Sequence, residues 1–286
     1  MEPKVDQILE FPPNVVQIIR KFYYYESDDQ IEEALDLLED WVRKQEHFLK
    51  KNYDRYYLET ALLTSKGSIE RTKERFDRLC TLRSLMPDYF VEFNPKRDFD
   101  RRITAESFKY YFQELVLCEY MKMHDYNTGF VLVFDYTQVN VMDLVSVVNF
   151  TEIRNIITLL VKGYGMIIKG MHLLLHNTNS KLIEILWAVV RALVSEKVVK
   201  RTHFHKTLDS FYEHTTRDVL PVEYGGKEIS LAEINDKWLD VLSSEQHQAF
   251  MKEINKAGVD EKSRLNFKFN EEHLGLPGSF RQMTVD

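Results

Sequence analysis

At 286 residues the chain is long enough for one large domain or two smaller ones, with a sizeable buried core. Apolar residues make up 44% and charged residues 29%, a globular composition that excludes a disordered chain. The net charge of -7 argues against a nucleic-acid partner, although a basic island interrupts the acidic background. Between Lys162 and Lys206 lie Lys162, Lys169, Lys181, Arg191, Lys197, Lys200, Arg201 and Lys206, against only Glu184 and Glu196. Such an island is either a solvated face or a docking patch for an anionic surface.

Residues 1–93 read as helices throughout. Pro13 to Tyr25 places apolar groups at helical spacing, and Asp28 or Asp29 is expected to cap a second helix through Ile31, Leu35, Leu38, Val42 and Phe48. A third helix covers Tyr56 to Thr64 and stops at Lys66-Gly67. Ser68 then caps Ile69 to Cys80, and Pro87 punctuates its continuation. The run Tyr23-Tyr24-Tyr25 reads as a packing surface toward the next domain, since no basic groove accompanies it as a stacking platform would require. The polar stretch Asn94 to Arg102 reads as a linker.

Beyond it the periodicity alternates. Phe108 to Met123 reads as a helix, and Phe130 to Asp135, following Asn127-Thr-Gly129, as a buried strand. Helices over 139–148 and 150–164 precede a second strand, Met166 to Leu175. An apolar helix over 180–194 precedes a third strand over 198–204, and a polar helix comes after it. Strands alternating with helices imply parallel crossovers and a helix-covered sheet, an α/β architecture. Ser230 caps a helix to Leu242, Ser244 to Ala257 forms another, and Leu265 to Asp286 is an irregular tail. The helix 180–194 carries only Glu184 and Arg191 from Ile183 to Val194, so it is either core or a movable lid over a hydrophobic cavity.

Cys80 and Cys118 sit in apolar helical patterns, as buried free thiols of a reducing compartment do. The opening Met-Glu-Pro-Lys-Val-Asp has no signal-peptide pattern and no run is long and apolar enough to span a membrane, so the expected location is cytoplasmic, peripheral at membranes. Catalytic patterns are missing. Gly163-Tyr-Gly165 lacks the residues of a phosphate loop, no Gly-x-Ser-x-Gly elbow occurs, and neither cysteine has an evident histidine partner. His203 and His205 share a strand face, as hydrogen-bonded strand histidines or as two metal ligands without a third nearby in sequence. Asp135, at the carboxyl end of a strand, is either a cap for the next helix or a catalytic group. Neither an enzyme nor a metal or cofactor is expected.

Several stretches resemble the CRAL-TRIO family of lipid-transfer proteins, which includes the cellular retinaldehyde-binding and α-tocopherol transfer proteins. Ser68 to Asp77 with Thr81 to Phe90 is similar to its helical N-terminal subdomain, particularly in insect members. Gly129 to Asp135, Ile168 to Leu173, Leu193 to Lys197, Arg201 to His205 and Leu220 to Gly226 are similar to successive pieces of its lipid-binding domain, and Gly278 to Asp286 to insect tails. The resemblance implies a helical subdomain over 1–93, a shortened linker over 94–104, an α/β lipid-binding domain with a mostly parallel sheet over 105–258, and a tail over 259–286.

It further implies a non-enzymatic carrier of a small hydrophobic molecule (a retinoid, carotenoid, tocopherol or other lipid) under a gate helix at Leu182 to Val194. Phe112, Leu115, Leu132, Phe134, Met171, Leu173, Leu186, Val190 and Leu193 are the expected cavity residues. Lys169, Lys197 and Arg201 fall at or close to positions through which relatives engage phosphoinositide headgroups, while a neighbouring basic position is Ile167 here. Two further departures stand out. The family's Phe-Leu-Arg-Ala-Arg-like helix end is Ala61-Leu-Leu-Thr-Ser65, without either arginine, and the shortened segment near 94–103 leaves open whether the sheet keeps its first strand. A scaffold that kept the fold but lost ligand transfer is the alternative.

Overall fold

The structure, a computed structural model, describes residues 8–98, 115–124, 126–140, 142–143, 146, 149–175 and 180–264. It begins with four helices: α1 (Val15–Phe22), α2 (Asp28–Lys44), α3 (Arg55–Thr64) and α4 (Ile69–Leu85). Helix α2 starts one residue before the expected caps. Ser27 accepts from the Gln30 amide and Gln30 answers at the Ser27 amide, a reciprocal box that leaves Asp28 and Asp29 to favour the first turn by charge. Ile31, Leu35, Leu38 and Val42 recur every three or four residues and are all buried. Complete burial of each such side chain is worth about 1.5–3 kcal/mol. Ser68 caps α4 through the Arg71 amide, as its position predicts.

The tyrosine run faces these helices rather than a following domain. Tyr23 is buried, and the Tyr25 hydroxyl donates to the Gly67 carbonyl at 2.8 Å, in the turn between α3 and α4. Tyr24, with φ 70°, stays 88% exposed. The stretch expected as a linker holds a short helix, α5 (Pro95–Asp98), whose Lys96 pairs with Asp240.

The described part of the helix expected over 108–123 is α6 (Leu115–His124). It leads to β1 (Phe130–Asp135), α7 (Phe150–Ile157) with a wider π-helical turn at Thr158–Gly163, and β2 (Ile168–Leu174). Next come α8 (Ser180–Leu193), α9 (Glu196–Lys200), β3 (Thr202–His205) and α10 (Leu208–Tyr212). Among the described residues the sheet has three strands in the order β1-β2-β3, both pairings parallel. The alternation therefore builds an α/β domain after a helical layer. The helix expected over 139–148 and any strand over 99–114 fall mostly or wholly outside the described residues.

The third strand is shorter than the sequence implies. Val198 and Val199, β-branched though they are, sit in α9, where both amides bond the Ser195 carbonyl. Val198 packs on the cluster of Ile168, Met171 and Ile183, so tertiary contact overrides strand preference. Pairing with β2 begins only at Thr202, opposite Met171.

Two helices close the described chain. Helix α11 (Leu231–Leu242) starts with a Ser230–Glu233 capping box, and α12 (Glu245–Ile254) is capped by Ser244. Both return to the N-terminal helices, since Leu242, Met251 and Ile254 share one core with Ile31, Leu35 and Leu62. Val259 bridges to Phe48, and Arg264 forks onto Asp77 at 2.6 and 2.9 Å.

Candidate functional site

A cavity of about 510 Å³ lies between the helical layer and the sheet, within the size range of small-molecule sites. Its walls are Thr60 and Thr64 of α3, Cys118, Met121 and Lys122 of α6, and Phe130, Leu132, Val133 and Phe134 of β1. Ile156, Leu160, Tyr164 to Ile167, Asn127, Leu9 and Trp238 complete it. Apolar atoms dominate this lining, and most of its polar groups are used within the protein. Thr60 donates its one hydroxyl proton to the Lys122 carbonyl, and Thr64 donates to the Thr60 carbonyl at 2.8 Å. Asn127 accepts from the Gly129 amide at 2.8 Å.

The glycines beside the cavity serve packing. Leu82 and Leu79 crowd Gly163, where a Cβ would stand 3.2 and 3.3 Å from their methyls. Gly165 has φ +71° against the Arg75 guanidinium, a backbone shape costly for any other residue. Arg75 in turn donates to the Thr64 carbonyl at 2.6 Å, so an arginine from α4 stands at the α3 end that lacks arginines of its own.

One wall of the cavity is fastened by a buried network. Glu119 accepts from Arg83, from Tyr57 at 3.2 Å and from Tyr164 at 2.5 Å, which joins α3, α4, α6 and the turn before β2. Burial opposes the charge on Arg83, but the Glu119 carboxylate outweighs it and raises the guanidinium well above its ordinary value. Burial also pushes the Cys80 thiol up to about 11, as befits an inert thiol, and no disulfide joins it to Cys118.

The expected cavity residues divide among three places. Leu132 and Phe134 line the cavity. Met171 and Leu173 are buried under α8 with Ile183, and Leu186 and Trp187 pack on them from α8. Leu132 and Met166 belong to both groups, so that cluster abuts the cavity. Val190 and Leu193 lie farther along α8, partly buried. Phe112 is outside the described residues, and only the backbone of Leu115 is described. Sequence reading missed Lys122, Cys118 and the 164–167 turn, because a lysine near a helix end carries no pattern that marks it as facing inward.

The opposite sheet face holds four histidines. His172 joins His203 and His205, at ring separations of 5.4 and 5.2 Å, and the tilted ring of His214 lies 4.0 Å from His203. Ser210 Oγ gives its proton to the Thr207 carbonyl, so it accepts from His205 Nδ1, and His205 Nε2 accepts from His172 Nδ1 at 2.9 Å. Burial first, then the neighbouring histidines, lower His172 to about 4 and lower His205 as well. Among the described residues no three His, Cys, Asp or Glu side chains are placed to hold a metal ion.

Asp135 fastens a turn rather than capping a helix. It accepts from the Thr137 amide and the Tyr224 hydroxyl, both at 2.8 Å, and these bonds outweigh burial to hold its carboxyl below the ordinary value. A second crevice of about 490 Å³ opens beside it at the strand ends, where Glu223 is engaged by the Leu231 amide.

The basic residues converge at the other end of the sheet. Lys169 is exposed on β2, and Lys197 and Arg201 stand one helical turn apart at α9. Arg201 donates to the Ile168 carbonyl at 2.9 Å, which brings it beside Lys169. None of the three has an ion-pair partner among the described residues, and no described helix is long and apolar enough to cross a membrane. Compared with known families, residues 88–226 match the CRAL/TRIO domain, a span that holds every strand of the sheet and most of the cavity wall.

Proposed function

We propose that this chain, which belongs to the CRAL/TRIO domain family through residues 88–226, carries a small hydrophobic molecule between membranes. Lipid binding and transfer is the business of that family, and its members bind small hydrophobic ligands rather than act as enzymes. The apolar cavity of about 510 Å³ is the observation that carries the reading here. A space of that size lined by apolar atoms gains stability when a ligand fills it, because each Å² of apolar surface removed from water is worth about 25 cal/mol.

Helix α8 is the proposed gate. It covers the sheet with Leu182, Ile183, Leu186 and Trp187, next to the cavity residues Leu132 and Met166, while Ile185 remains 62% exposed. A helix that carries an exposed isoleucine beside its charged outer positions is suited to leave the sheet at a membrane, where acyl chains replace water around its apolar groups. Lys169, Lys197 and Arg201 would dock the protein on an anionic surface, phosphoinositides included. Retinoids, carotenoids, tocopherols and other lipids are the candidate cargo.

Organic extraction of the purified protein, with mass spectrometry of the extract and an intact native mass, tests the reading. One lipid at near-stoichiometric level supports a carrier. No bound lipid, together with no uptake from vesicles containing retinoid, tocopherol or phospholipid, replaces it with the scaffold reading.

A further inference from the structure

Among the described residues the cavity wall contains one cationic side chain, and no carboxylate there pairs with it. Lys122 lies on α6 with its side chain against the cavity, and among the described residues no carboxylate lies within ion-pair distance of its amine. The nearest acid along the helix, Glu119, is one turn away and already accepts from Arg83, Tyr57 and Tyr164. Thr60, Thr64 and Asn127 have spent polar atoms on the backbone. Across the cavity mouth of α3, Arg75 packs under Gly165, which also lines the wall, and bonds a carbonyl and a hydroxyl but no acid. Among the described residues the charge at this end of the cavity is therefore net positive.

Resting on the carrier reading above, we propose that Lys122 anchors the ligand's head group, and that this ligand is a long apolar chain ending in a carboxylate. A carboxylate meets the demand with one charge, whereas a phosphate ester would bring more charge and more acceptors than one amine can satisfy. An alcohol or ester would leave the ammonium without its counter-charge in an apolar site, the costly case. The state of the amine agrees with this geometry. Burial, aided by the charges of Arg75 and Arg83, draws Lys122 down to about 8 against the pull of Glu119. A bound carboxylate restores the proton, so affinity for the acid falls as pH rises through about 8, while affinity for an uncharged analogue stays flat.

The test compares oleate with methyl oleate on the full-length protein stripped of lipid, and on its Lys122→Met variant, by titration at pH 7 and pH 9. The wild type binds oleate at least about tenfold more tightly than the ester at pH 7, and Lys122→Met loses that preference while holding the ester within about twofold. The carboxyl resonance of carbon-13-labelled oleate on the wild type shifts with the lysine's titration, a readout independent of how the variant folds. Equal affinity for acid and ester in the wild type, at both pH values, overturns the assignment of Lys122 and leaves the carrier standing. If the wild type takes up neither oleate nor ester nor any other apolar probe, both readings fall together.

Discussion

Helices α2 and α8 are both amphipathic, yet they are buried to very different depths. Helix α2 sinks Ile31, Leu35, Leu38 and Val42 to at most 2% exposure, whereas α8 buries Ile183 to that extent and leaves Leu182, Leu186 and Trp187 only partly buried. The N-terminal helices and the returning α11 and α12 form one interlocked core, stapled by buried ions such as Arg20–Glu59 at 2.7 Å. The sheet and α8 form a separate, smaller cluster beside a cavity. A helix held by a shallow contact can part from the sheet at modest cost, while the layer behind it cannot. On the proposed function the first half is the frame and the second the cover.

Removing a frame ion gives the largest effect. Glu119→Leu strands the Arg83 guanidinium in the interior, which costs about 3–5 kcal/mol in urea unfolding and lowers Tm. An unchanged midpoint would sink the view that this network fastens the cavity wall. Matched truncations then set frame against cover directly. Leu62→Ala, in a fully buried position of α3, costs about 2–5 kcal/mol. Leu186→Ala on α8 costs about 1 kcal/mol or less, because its side chain is only partly buried. Equal losses at the two leucines would mean that α8 is ordinary core and no gate.

Much of this contrast was legible in the sequence, and its limits are physical. Regular apolar spacing located α2, α4 and α8, and turn residues bounded β1 to the residue. Caps were legible where the serine stood alone, as at Ser68 and Ser230, but beside Asp28 the stronger reciprocal box at Ser27 went unread. Strand β3 was overextended because Val198-Val199 has strand preference and only their contact with the Ile183 cluster shows them helical. The cavity was legible in kind, through Leu132 and Phe134, but not in lining. Long-range approach of α3 and α6 creates most of its wall, and His172 and His214 join His203 and His205 the same way. No spacing rule encodes contacts between residues so far apart in sequence.

The histidine face sharpens the contrast from the other side of the sheet. Each shift is downward, so below pH 6.5 the unfolded chain binds protons that the folded rings refuse, and stability falls as pH drops from 6.5 toward about 4. Glu213 faces His205 and opposes part of that shift. For His172 the full displacement is worth roughly 3 kcal/mol at most. Urea midpoints taken between pH 7 and pH 4.5 should show the loss, and His172→Gln should flatten the curve. Parallel curves in the two proteins would assign the acid sensitivity elsewhere, away from this sheet face.

The smallest effect on stability belongs to the proposed docking patch, and there the expected change is in binding alone. Lys197 and Arg201 are exposed, so the double reversal Lys197→Glu, Arg201→Glu should leave the unfolding midpoint within about 0.5 kcal/mol, with a small debit for the Arg201 bond to Ile168. Each basic residue near an anionic bilayer contributes about 1 kcal/mol, so losing two weakens partition onto phosphatidylserine vesicles by roughly 30-fold, and reversal weakens it further. The difference should shrink as salt shortens the reach of the charges to about 10 Å at 0.1 M. Co-sedimentation in low salt decides the matter. If the reversed protein partitions like the wild type, the patch is a solvated face and the docking proposal falls.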